Sequence, residues 1–182
     1  IAIAKRLLKS GQVQRVLFLV DRNELALQAE SAFEKHLSEY SRYILKAGAN
    51  KQEKQITIST LQTMVNLYQD FTAGYFDIVI SDECHRSIYG QWRVCLSHFD
   101  AIQVGLTATP GRNIDRNTYD FFDCSYQKPT VSYSIQAGIK EGYLASYHIY
   151  KASTGIVLRG LRHKNEDGAE QDYDVFDLEK RI

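Results

Sequence analysis

Nothing in this sequence pulls the whole molecule toward a polyanion or a membrane. Twenty-two Lys and Arg balance twenty-two Asp and Glu, so the formal net charge is zero, and any contact with nucleic acid must come from a local surface. No apolar stretch approaches the roughly 20 residues that a bilayer-spanning helix needs. Ile1 to Leu8 is too short for a signal peptide and already carries Lys5 and Arg6. Three cysteines, Cys84, Cys95 and Cys124, cannot all pair with one another; reduced thiols and a cytoplasmic setting are expected. There is no internal repeat and no low-complexity tract. What is present is ordinary for a globular chain, 44% hydrophobic and 24% charged, and 182 residues can enclose a core without disulfides. The sequence does not start with Met, and Ile1 to Gly11 reads as an amphipathic helix closed by its glycine. A segment of a longer protein is expected.

Strand and helix signals alternate through residue 107. Arg15 to Val20 is a continuous apolar run, as for a strand buried on both faces. Asp21 ends it and is placed to cap a helix from about Glu24 to Tyr40, with Leu25, Leu27, Ala29, Ala32, Phe33 and Leu37 as its stripe. Arg42 to Lys46 reads as a short strand, 48–55 as a loop, Ile56 to Ser59 as a strand and Thr60 to Tyr68 as a helix. Asp77 to Ser81 is another strand; Trp92, Val94, Cys95, Leu96 and Phe99 mark a helical face; Ala101 to Leu106 is the next strand. This pattern predicts an α/β fold, a parallel sheet with helices on both faces. Chemistry in such sheets gathers at the carboxyl ends of the strands. Asp21-Arg22, Ser59-Thr60, Asp82-Glu83 and Thr107-Ala108-Thr109 all fall there.

After Pro110 the character changes. Residues 111–118 read as a polar loop, 119–150 is dense in Tyr and Phe, and Ser132 to Lys140 predicts a short helix ending near Gly138 or Gly142. The aromatic segment offers a base-stacking surface, but core and linker packing is the expectation. The charged stretch 159–174 is expected to be exposed or mobile.

The acidic pair Asp82-Glu83 is the strongest chemical signal. Carboxylates at the end of a buried strand are costly unless something compensates them, and a magnesium ion on nucleotide phosphates is a common reason. Asp82 would hold the metal through a water, since a hard cation takes carboxylate oxygen. Glu83 would act as general base or orient the attacking water. His85 can hydrogen-bond toward Thr107 and Thr109, which would couple the acidic pair to a second surface. The bland alternatives are a helix cap for Asp-Glu and a threonine-rich turn before Pro110. Arg22, and Ser59 with Thr60, can bind phosphates beside helix N-termini, although strand-cap-helix junctions often use such residues. Cys84-His85 and Cys95-x-x-His98 supply four candidate zinc ligands, but not in the usual spacing.

Ser81-Asp82-Glu83-Cys84-His85-Arg86 followed by Val104-Gly105-Leu106-Thr107-Ala108-Thr109-Pro110 resembles motifs II and III of superfamily 2 helicases and translocases. Asp21-Arg22-Asn23-Glu24-Leu25 resembles motif Ia, and Ser59-Thr60-Leu61-Gln62 motif Ib. The chain is most similar to the motor part of the restriction (HsdR) subunit of type I restriction enzymes, with the type III restriction helicase-like family close behind. Phe121-Phe122, Pro129 to Ser134, Gly138 to Ala145 and Tyr173 to Asp177 carry that narrower resemblance. It implies a RecA-like first motor domain over 1–150, with 151–182 as linker and start of a second. It further implies ATP and Mg2+ as cofactors and movement on double-stranded DNA coupled to cleavage. Modification and specificity subunits would be partners. Two departures qualify this. No G-x-x-x-x-G-K-[ST] loop occurs among the 182 residues, although the family places one just before a helix like Ile1 to Lys9. The second motor domain with its arginine finger is missing too. Residues 1–182 alone are therefore expected to be inactive. The alternatives are a nucleic-acid-binding scaffold without turnover and a motor on RNA or single strands.

Overall fold

The computed structural model describes residues 1–86, 90–110, 112–113, 116–125, 127–147, 161–164 and 170–173. The chain divides into two compact units, Ile1–Ser132 and Tyr133–Ile182. The expected boundary at 150 lies outside the described residues.

The first unit is a five-stranded, all-parallel sheet. Its strands are β1 (Val16–Val20), β2 (Arg42–Leu45), β3 (Ile56–Thr60), β4 (Ile78–Ser81) and β5 (Ile102–Gly105), in the order β2-β3-β1-β4-β5. β1, β3 and β4 are buried at every position; β1 and most of β4 accordingly run apolar without alternation, whereas β3 alternates Ile with Thr and Ser and still buries Thr57 and Ser59 completely. Along β1, Val16, Phe18 and Val20 face α1 (Ala2–Lys9) and α2 (Asn23–His36), joining Ala4, Leu8, Ala26, Phe33 and Leu37. Leu17 and Leu19 point the other way, to Leu61, Met64 and Val65 of α3 (Leu61–Leu67) and Cys95 and Leu96 of α4 (Gly90–His98). Each fully buried Leu, Ile or Phe contributes about 1.5–3 kcal/mol, so both faces hold the sheet. At the amino edge, Asp77 Oδ2 accepts from the Gln14 and Arg15 amides, both at 2.8 Å, tying the entry of β1 to that of β4.

Several expectations need correction. α2 stops at His36, not near Tyr40: Leu37 leaves helical geometry and is fully buried, sealing the core beneath the helix. Leu27 and Val94, assigned to apolar stripes, are exposed. Asp21 is not the cap of α2. That position is Arg22, without a side-chain cap bond, and Asp21 Oδ2 lies 3.3 Å from Arg22 Nε. Within 111–118, Arg112–Asn113 (β6) pairs antiparallel with Arg116–Asn117 (β7). Asn117 then caps the short helix α5 (Thr118–Phe121).

In the second unit, α6 (Ile135–Lys140) starts on Ser134, whose hydroxyl accepts from the Ala137 amide, and is followed by Gly142 at φ +79. Packing is only part of the aromatic segment's behaviour: Tyr119 is buried in the first unit, while Tyr133, Tyr143 and Tyr147 are exposed. The Tyr133 hydroxyl donates to Glu141 Oε2 at 2.8 Å, which raises its pKa above the ordinary tyrosine value. Within 159–174, β8 (Leu161–Lys164) and β9 (Glu170–Tyr173) pair antiparallel, so the described part is a hairpin ladder. Residues 174–177 lie outside the described residues.

Candidate functional site

The sheet register brings the strand ends together. Val20 stands opposite Thr60, Leu19 opposite Ser81, and Ser81 opposite Gly105. Asp21, Thr60, Asp82-Glu83 and Leu106-Thr107 consequently share one edge.

Asp82 leaves β4 with its amide still bonded to the Leu19 carbonyl (2.9 Å). Its Oδ1 accepts from the Glu83 amide (3.1 Å), which turns the chain sharply. Glu83 sits at φ +48, a left-handed conformation rare for residues with a side chain. The short 3₁₀ turn Cys84–Arg86 follows. On the neighbouring strand, the Leu106 amide donates to Ser81 O (2.9 Å) and the Cys84 amide to Leu106 O (3.0 Å), lacing the two strand exits together.

His85 is the side-chain hub. Its Nδ1 lies 2.9 Å from Thr107 Oγ1, 3.5 Å from Thr109 Oγ1 and 3.4 Å from Glu83 Oε2. The Thr109 amide in turn donates to Thr107 Oγ1 (3.0 Å). The expected contact between His85 and the two threonines is therefore present. The Glu83 side chain keeps 45% of its surface open, so its carboxylate can still reach an incoming group.

The neighbouring exits of β3 and β1 on the same edge behave differently. Ser59 is fully buried, and its hydroxyl donates to Thr60 O (3.1 Å) and toward Leu45 O (3.5 Å). Thr60 Oγ1 caps α3 by accepting from the Thr63 amide (3.2 Å) and donates to Thr63 Oγ1 (2.9 Å). Both hydroxyls are used internally, while Arg22 projects into solvent at 70% exposure.

Asp21, Ser81, Asp82 and Glu83 line a cleft of about 10 Å³ with Leu19, Val20 and Leu61. Ser81 Oγ is buried there without a hydrogen-bond partner. The available donors are oxygens, which suits magnesium better than zinc. Among the described residues no three His, Cys, Asp or Glu side chains converge on a metal position. A cation at Asp82 would thus keep most of its water, as magnesium does. The zinc set considered above is otherwise engaged: His98 Nε2 lies 2.8 Å from Phe71 O. Cys84 and Cys95 are buried thiols outside any disulfide, both pushed up to about 12 by burial. Among the described residues no helix is long and apolar enough to cross a membrane.

Sequence reading missed three contributors. Ser81 carries a signal, a polar residue inside an apolar strand. Gly105 and Phe122 enter the sequence reading only as parts of longer motifs, because the approach of the Phe122 ring to Gly105 exists only in three dimensions.

Known proteins resemble this chain in sequence and in fold. The chain is 30% identical to the endonuclease subunit of the type I restriction enzyme EcoAI of Escherichia coli, over 86% of this chain and 20% of that protein. A fragment assigned to the HsdR subunit of a type I restriction enzyme from Vibrio vulnificus YJ016 superposes with a TM-score of 0.50 at 32% identity. That match covers 71% of this chain and 21% of the other. The Sulfolobus solfataricus SWI2/SNF2 ATPase core, solved with double-stranded DNA, shares the fold at a TM-score of 0.55 and 12% identity, covering 66% and 27%. The chain spans about a fifth of the length of the EcoAI subunit. Residues 1–112 match the family described as type III restriction enzyme, res subunit, and with more than half of its length inside that match the chain belongs to this family, a helicase-like motor domain related to type I restriction subunits.

Proposed function

We propose that these residues form part of the first motor domain of an ATP-dependent translocase on double-stranded DNA, within a cytoplasmic restriction enzyme that also has modification and specificity subunits. The observation that carries this reading is the laced exit of β4 and β5. It sets a half-open carboxylate, Glu83, on a left-handed turn within reach of His85, whose Nδ1 also meets the Thr107 hydroxyl. A strand end serving only as a cap needs none of these side-chain links.

ATP with Mg2+ would supply the phosphoanhydride whose hydrolysis drives movement. Asp82, anchored by its amide to β1, would hold the hydrated ion. Glu83 would accept a hydrogen bond from the attacking water and orient it. His85, shared between Glu83 and the two threonines, would relay the state of the acidic pair to the loop 106–110. On the same edge of the sheet, at the exit of β1, Arg22 and the backbone amides opening α2 would meet DNA phosphates. Ser59 and Thr60 would shape that surface from within. The absence of a glycine-rich lysine loop from the 182 residues predicts that they hydrolyse ATP poorly or not at all by themselves.

The test is DNA-stimulated ATP hydrolysis by the full-length protein that carries these residues, wild type against Glu83→Gln. A fall of about 10²–10⁴-fold in kcat with DNA binding kept is expected. Greater stimulation by duplex than by single strands or RNA supports the restriction reading. Undiminished hydrolysis would hand the site to the scaffold alternative.

A further inference from the structure

Phe121-Phe122 stands out in the sequence, and the chemistry above leaves it unused. Its surroundings give it a part. A methyl carbon placed on Gly105 would lie 2.5 Å from Phe122 Cζ, 2.6 Å from Phe122 Cε2 and 2.7 Å from Cys84 Sγ. All three are far inside van der Waals contact, so the Gly105 Cα is the floor on which the Phe122 ring and the Cys84 thiol rest. Gly105 does not have a positive φ. It is glycine for space, not for conformation.

The ring is backed on its other side. Phe121 packs edge-on to Phe122 at 4.9 Å between centroids and lies against the core cluster shared by α3 and α4. The Arg93 guanidinium of α4 sits 5.6 Å over the Phe121 ring. Cys84 is buried and directly follows Glu83, whose left-handed backbone persists only where its surroundings enforce it. The Cys84 amide bond to Leu106 O fixes one side of that turn. The Phe122 ring, crowded with the Cys84 sulfur onto Gly105, borders the other.

We propose that Phe122 is a positioning residue for the acidic pair: seated on Gly105, its ring clamps Cys84 and so holds the turn that aims Glu83. The proposal rests on reading Asp82-Glu83 as the hydrolytic pair. Its test has two readouts on the full-length protein. One is the split of kcat against KM for ATP; the other is alkylation of Cys84 by iodoacetamide, mapped by peptide mass spectrometry. Phe122→Ala is expected to lower kcat by roughly 10- to 100-fold, the scale of a small misplacement in an active site. KM should stay within about twofold, as for a loss confined to the transition state, and Cys84 should become labelled. Phe122→Tyr should restore both readouts.

Should Phe122→Ala not fold, a milder cycle decides. Gly105→Ala should lose activity by pushing on the ring, and Gly105→Ala with Phe122→Leu should recover part of it, a coupling that independent sites do not give. Unchanged kcat in Phe122→Ala, a loss that Phe122→Tyr does not rescue, or strictly multiplicative effects in the cycle would overturn the proposal. Failure of the function itself reads differently. Glu83→Gln would then leave hydrolysis intact, while Cys84 labelling would still report whether Phe122 covers the turn.

Discussion

The exits of β3 and β4 are written in similar residues and use them in opposite ways. Ser59 and Thr60 turn their hydroxyls onto the chain's own backbone and onto Thr63, and both are buried. At the exit of β4, Glu83, His85, Thr107 and Thr109 reach one another across two strands and remain partly open. Local satisfaction explains the first end completely, because a cap and a buried serine are common ways to finish a strand and start a helix. It does not explain the second, where side chains from separate segments converge and one backbone is held in a strained region. Polar residue type therefore does not mark a site in this sheet. The identity of the partner does.

The largest effect that separates the two ends is the loss of hydrolysis in Glu83→Gln, set against Ser59→Ala, which should leave kcat unchanged within about twofold. Next is His85→Ala. Removing the hub takes one or two hydrogen bonds, each worth about 1 kcal/mol, so DNA-stimulated hydrolysis should fall roughly tenfold while Tm moves little. Comparing ATPase rates with and without DNA checks it: an equal fall in both would place His85 in the chemical step, not in the coupling. Smaller again is Thr60→Ala. Loss of the α3 cap should cost about 1 kcal/mol of stability, visible in urea melts, with unchanged kcat per folded molecule. A loss of turnover there would make the two ends alike and dissolve the contrast.

Much of the frame was legible in the sequence, for a physical reason. Val16 to Val20 and Ile78 to Ser81 are short apolar runs ended by polar residues, as suits strands covered on both faces. Ile56 to Ser59 shows strand alternation although both its faces are buried. The convergence of His85 on Thr107 is expected from the resemblance to helicase motifs II and III, and parallel pairing of β4 with β5, which puts Ser81 opposite Gly105, is what brings them together. What stayed hidden depends on three-dimensional packing. Nothing local tells that Leu37 leaves its helix to seal the core, that Leu27 faces solvent, or that the Ser59 hydroxyl turns inward. The left-handed Glu83 and the seat of Phe122 on Gly105 belong to the same class, since each is imposed by residues distant in sequence.

The two buried cysteines extend the contrast into pH. Cys84 lies in the turn of the acidic pair and Cys95 in the core beneath α4; burial pushes both thiols up to about 12 from 9.0. Glu83 and Asp82 add to the effect at Cys84 only. A folded-state pKa above the unfolded one means that the unfolded chain gives up its thiol protons first. Stability from these groups is complete below about pH 9 and drains away as the pH rises toward 12. Near neutrality, variants that leave the packing intact should show no pH-dependent difference from wild type. On the alkaline side, Tm should fall with rising pH, and Cys95→Ala should flatten that fall even though its Tm starts lower for want of the sulfur. Cys84→Ala should flatten it as well, but with a loss of turnover already present at pH 7, because at that position the sulfur is also the contact that holds the turn. Thermal melts from pH 7 to 11, paired with neutral-pH ATPase rates, separate the two thiols. Equal turnover in both variants would mean that Cys84 is core like Cys95, and that the turn is fixed by its backbone bonds alone.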